Sequence, residues 1–98
     1  RFTAQNRLRD SETRRTVLAI VTDRPGAPPP GQVVYLRGLP ERFWDLQVAL
    51  PLFYAVPIHC RVTDLAAPPG AVVFDFAAGP PVRLKHWERR PAGGAPAG

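Results

Sequence analysis

His59, Cys60 and His86 are the chain's two histidines and its one cysteine, so imidazole or thiolate chemistry would have to pass through them. A structural zinc ion takes four such ligands, usually in paired spacings, and three unpaired residues do not supply that set. Cys60 next to His59 does not make a nucleophile and base on a strand, because adjacent side chains point to opposite faces. On that geometry Cys60 packs inward as a small apolar residue and His59 faces out. Ser11 is the single serine and lies in a polar segment. Asp64 and Asp75 invite a carboxylate-pair reading, but their settings fit a strand end and an outward ladder position. "GLPERFW" (38–44) lacks the Lys and Ser/Thr of a phosphate loop. The residues point to a non-enzymatic chain with no catalytic residue, metal or cofactor.

Binding chemistry is better supplied. Trp87 stands among Arg83, Lys85, Arg89 and Arg90, and Trp and Arg are the residue types enriched at interface hot spots. These five form the expected partner-binding set. Trp44 is expected in the core. A nucleic-acid reading would use Tyr35 and Arg37 with Arg14 and Arg15, and stack a base on Trp87.

The charge distribution serves either reading. The net charge is +5. Residues 1–15 carry +3, residues 81–91 carry +3, and the stretch between them carries −1. Attraction to an acidic protein surface or to phosphate would act through the two flanks. The cations are arginine in all but one case, and Ala, Gly and Pro are abundant too. All four have GC-rich codons, so composition fits a high-GC genome and admits a viral or phage component.

The elements that position these residues follow from pattern. At 98 residues the chain is one domain, and 45% hydrophobic content is enough for a core. Proline, 13 residues, punctuates the apolar segments. Residues 1–14 read as a charged arm, 15–90 as a single domain and 91–98 as a disordered tail. "VLAIV" (17–21) reads as a doubly buried strand, and "QVVYLRG" (32–38) as a second.

The stretch 46–62 is apolar at every even position, which suits one long ribbon. Pro51 and Pro57 stand against it. Pro40 and Glu41 suit a helix start, and Phe43, Leu46 and Leu50 then share one face. The pattern predicts a helix over about 40–50, a bend through 51–56 and a strand over 57–63. "AVVFDFA" (71–77) puts Val72, Phe74 and Phe76 on one face and Val73, Asp75 and Ala77 on the other. "VRLKHW" (82–87) alternates as an edge strand does.

"VYLRGLP" and "GAVVFDF" together resemble the signature strands of the RNA-recognition motif. Val34, Tyr35, Leu36, Gly38 and Leu39 fit the first signature, and Gly70, Phe74 and Phe76 fall near the second. "DLQVALPLF" is similar to the family's first helix. The likeness covers about 33–77. It implies RNA or single-stranded DNA bound on a sheet face, with Tyr35 as the platform. The family's stacking positions on the later strand fall on Ala71 and Val73, and its second helix has no counterpart.

The resulting expectation is an α+β domain, β-β-α-β-β-β. Its sheet is mostly antiparallel, of about five strands, with one short helix. An all-β sandwich or barrel is the alternative. The expected function is docking onto a protein partner through the edge strand 81–87 and the basic flanks, with RNA or single-stranded DNA binding as the alternative. No run approaches the ~20 apolar residues that span a bilayer, and no segment resembles a signal peptide. A chain starting at Arg1 without methionine suggests a processed product or a fragment.

Overall fold

The computed structural model describes residues 4–24, 26–77, 79 and 81–91. Helix α1 (Ala4–Asp23) leads into strand β1 (Gln32–Arg37). A helical layer follows over 41–53, built of a 3-10 turn (Glu41–Phe43), the α-helical turn α2 (Leu46–Ala49) and a second 3-10 turn (Leu50–Phe53). Strands β2 (Ile58–Val62), β3 (Val72–Ala77) and β4 (Arg83–Arg89) complete a four-stranded sheet of order β2-β1-β3-β4. The class is α+β, as expected, but the sheet is mixed. β1 runs parallel to both β2 and β3, and β3 and β4 form the one antiparallel pair.

Two expectations are corrected at the N-terminal end. Residues 4–14 of the expected arm and the expected strand 17–21 are one helix, α1. A short apolar run does not by itself distinguish a buried strand from a buried helix face. Here Val17 and Val21, four apart, are the residues that reach the core. Arg14 fastens α1 to the helical layer, with Nε 3.0 Å from the Asp45 carboxylate and its guanidinium 4.8 Å over the Phe43 ring. Arg42 covers the same ring at 4.9 Å and pairs with Asp10 at 3.2 Å. Exposed ion pairs contribute little alone, so the buried valines anchor the helix and the arginines set its angle.

The helix expected over about 40–50 is borne out in part: only Leu46–Ala49 is α-helical, with 3-10 turns on either side. Phe43, Leu46 and Leu50 are all buried against the sheet. Pro51 does not end the helix. It sits in the first turn of the second 3-10 segment, where no N–H is required, and helical backbone continues to Phe53. The expected bend is confined to 54–57, and β2 begins at Ile58.

The expected meander of the last three strands is also corrected. β2 and β3 flank β1 on opposite sides and both run parallel to it. The segment 63–71 must therefore carry the chain back along the sheet and across β1. "AAPPG" lies within this crossover and does not form a hairpin turn. Ala67 and Ala71 pack with Val73, Val33 and Tyr35 in a small second cluster on the sheet face opposite the helices. Of the expected tail 91–98, Pro91 accepts from the Gly70 N–H at 2.9 Å, and residues 92–98 lie outside the described residues.

The main core is one cluster. Val34, Leu36, Ile58, Cys60, Val72, Phe74 and Phe76 from the sheet meet Val17, Val21, Phe43, Leu46 and Leu50 from the helices. Buried Gln32 is satisfied, donating from Nε2 to the Gly70 carbonyl at 3.0 Å. At the end of β1, Gly38 has φ +84° and lies against the Phe76 backbone. Only glycine reaches that conformation cheaply, and the tight approach sets the exit from β1.

Candidate functional site

Once Phe43, Leu46 and Leu50 face the sheet, helical spacing turns another set outward. Trp44, Val48 and Leu52 all fall on the solvent side of the layer, Val48 within α2 and Leu52 within the second 3-10 turn. Their exposures are 58%, 64% and 81%, and neighbouring Phe53 is 60% exposed. Scattered exposed apolar residues are ordinary, but four large ones within the ten residues 44–53 point to a contact surface. The pattern was already present in the sequence as the complement of the 43/46/50 face. The assumption that Trp44 belongs to the core hid it.

The two tryptophans thus differ from their expected settings. Trp44 is exposed. Trp87 points from β4 into the main core face and stacks on Phe74, with ring centroids 5.9 Å apart. It is half-buried, and its indole contributes packing area to the edge of the core. The cause is register: Trp87 pairs with Phe74 across the ladder, so both rings stand on the same side of the sheet.

The other expected contact residues separate. Arg83, Lys85 and Arg89 are exposed along β4, which borders β3 and no other strand among the described residues. Arg89 reaches Gln32 Oε1 at 3.5 Å. Arg90 is half-buried and pairs with Glu88 at 3.6 Å. Tyr35 is half-buried beneath the 63–71 crossover. Arg37 pairs with Asp75 at 3.1 Å. Arg14 is engaged with Asp45 and Phe43 as above, and Arg15 is exposed. The structure therefore does not bring Tyr35, Arg37, Arg14 and Arg15 into one patch: the first two sit on the sheet and the last two on α1.

Cys60 faces the core and His59 is exposed. Burial pushes the thiol up from 9.0 to about 12. Tyr54 shifts upward too, first through its own burial and then through the nearby Cys60 charge. Since the thiolate is the nucleophile, native Cys60 should react with a disulfide reagent at pH 8 only through unfolding. The rate should therefore follow the unfolded fraction as urea is added. Rapid modification of the folded chain would contradict the burial.

The raised folded value also fixes a sign. The stability contribution of the neutral thiol is intact below the unfolded pKa, near 9, and is lost as pH rises from there toward 12.

Fold and surface together define a small α+β domain with a mixed four-stranded sheet. One helical layer of that domain carries an exposed apolar row. Comparison with protein-family models, with curated proteins and with solved structures yields no match to this chain. None of the described helices is long and apolar enough to cross a membrane.

Proposed function

We infer that this chain is a non-enzymatic binding module that docks onto an acidic protein partner through the Trp44–Val48–Leu52 row. The observation that carries the reading is that row: four large apolar side chains, Phe53 included, are more than half exposed on one short layer. Burying such side chains in a partner contributes about 25 cal/mol per Å² of apolar surface removed from water. Tryptophan is among the residue types enriched at interface hot spots. Charge complementarity supports an acidic partner over a second copy, because two chains of net charge +5 repel. Arg83, Lys85 and Arg89 on the β4 edge add a cationic strip that an acidic partner strand could extend by pairing with the sheet.

The test compares wild type with Leu52→Asp and Trp44→Ala as bait. Both positions are exposed, so stability should change by no more than about 0.5 kcal/mol. A specific partner should be acidic, bind saturably, and lose at least tenfold in affinity to either variant. An Arg61→Ala control should bind as wild type does. A retained protein indifferent to Leu52→Asp would remove this surface. Sedimentation showing a dimer that Leu52→Asp dissolves would assign the row to self-association.

A second reading is RNA or single-stranded DNA binding. It is favoured by Arg61, Arg83 and Lys85, exposed cations on the sheet without an acidic ion-pair partner among the described residues. Such binding should weaken steeply with salt and should not respond to Leu52→Asp, which separates it from the first reading.

A further inference from the structure

We propose that the cleft at the carboxyl ends of β1 and β3 binds a small phosphate monoester that also carries a hydroxyl. The site is separate from the apolar row and does not depend on it. In open sheets with parallel strands, ligands occupy the crevice at the carboxyl ends where neighbouring connections leave to opposite faces. β1 and β2 are such a pair. The chain leaves β1 for the helical layer on one face and leaves β2 through 63–71, which crosses the other. Beside these strand ends, and against the carboxyl end of β3, lies a cleft of about 350 Å³, lined among others by Arg37, Gly38, Asp64, Asp75, Lys85 and His86. That volume suits a small metabolite.

A local irregularity provides the second observation. Asp75 pairs with His86, but the next β3 residue, Phe76, pairs with Leu84. Lys85 is the extra residue of a bulge. On a regular strand Lys85 and His86 would face opposite ways. The bulge lets both line the same cleft, which is how bulges re-aim side chains at functional sites. The acidic residues there are already engaged. Asp75 pairs with Arg37 at 3.1 Å, and Asp64 Oδ1 accepts from the Gly38 N–H at 2.9 Å.

His86 Nε2 is 3.4 Å from Glu88 Oε1. Lys85 has no carboxylate within ion-pair distance among the described residues. The unspent groups are thus the Lys85 ammonium and the further N–H donors of Arg37, which suit a phosphate dianion. The second oxygen of Asp64 is an acceptor for a ligand hydroxyl.

The test is an amide-shift titration of the full chain with inorganic phosphate and with ribose 5-phosphate. Saturable shifts confined to Gly38, Asp64, Asp75, Lys85 and His86 are expected. Ribose 5-phosphate should bind at least tenfold more tightly than inorganic phosphate. Lys85→Ala should weaken it at least tenfold, and Arg83→Ala on the same strand should leave it unchanged. Both residues are exposed, so neither variant threatens the fold. Shifts spread over the surface cations, or indifference to Lys85→Ala, would overturn the proposal. So would a single-stranded oligonucleotide that binds this cleft more tightly than the monoester. Trp44→Ala should not alter the titration, so failure here and failure of the docking surface are told apart.

Discussion

Phe74→Ala is expected to lower the unfolding free energy by about 4 kcal/mol, within the range for deleting a fully buried phenyl ring. Phe74 is 0% exposed, and its ring stacks between Phe76 at 6.4 Å and Trp87 at 5.9 Å. Neighbours on a sheet cannot close such a hole without breaking ladder hydrogen bonds. A domain of this length has roughly 5–15 kcal/mol in all, so the loss is a large share of its stability. Urea denaturation followed by tryptophan fluorescence in a Trp44→Phe background would measure it. Phe74→Leu should recover about half, and a loss under 1 kcal/mol for the alanine variant would mean that the core is not centred on β3.

Gly38→Ala should destabilise by about 3 kcal/mol, from backbone strain together with a steric collision. The residue has φ +84°, and an added Cβ would run into the Phe76 carbonyl. Backbone on a central strand cannot move aside as a flexible side chain would. Gly31→Ala is the control. Its φ is +83°, but nothing lies within 4 Å of its added Cβ. It should therefore show the conformational cost alone, about 1 kcal/mol. Equal losses at the two sites in a denaturation series would refute the collision. Gly38→Ala should also disturb the cleft, since the Gly38 amide holds Asp64.

The strands of this fold were legible because their alternation is clean. "QVVYLR" and "VVFDFA" each place a buried set on one face, and β1 and β3 fall where that pattern puts them. The inward Cys60 and outward His59 follow from the same rule. The helical face Phe43–Leu46–Leu50 was legible for a similar reason, since its i, i+3, i+7 spacing lies wholly before Pro51.

Three things were not legible. "VLAIV" fits a strand or a helix equally, and what decides it is the docking of Val17 and Val21 against β-strands far along the chain. The direction of β3 relative to β2 depends on where 63–71 travels, and Pro68-Pro69-Gly70 looks the same in a turn and in a crossover. The cleft needs residues from four strand ends and one bulge. No spacing in the chain announces that Asp64, Asp75 and Lys85 will meet.

The route of 63–71 also governs the order in which this molecule can assemble. β3 and β4 are neighbours in sequence and can zip together early as a local hairpin. β1 cannot acquire both of its flanking partners until residues 72–77 exist and have been carried across it. On a ribosome, therefore, the N-terminal half must wait with one hydrogen-bonding edge of β1 unpaired. That non-local closure should be the slow step of folding.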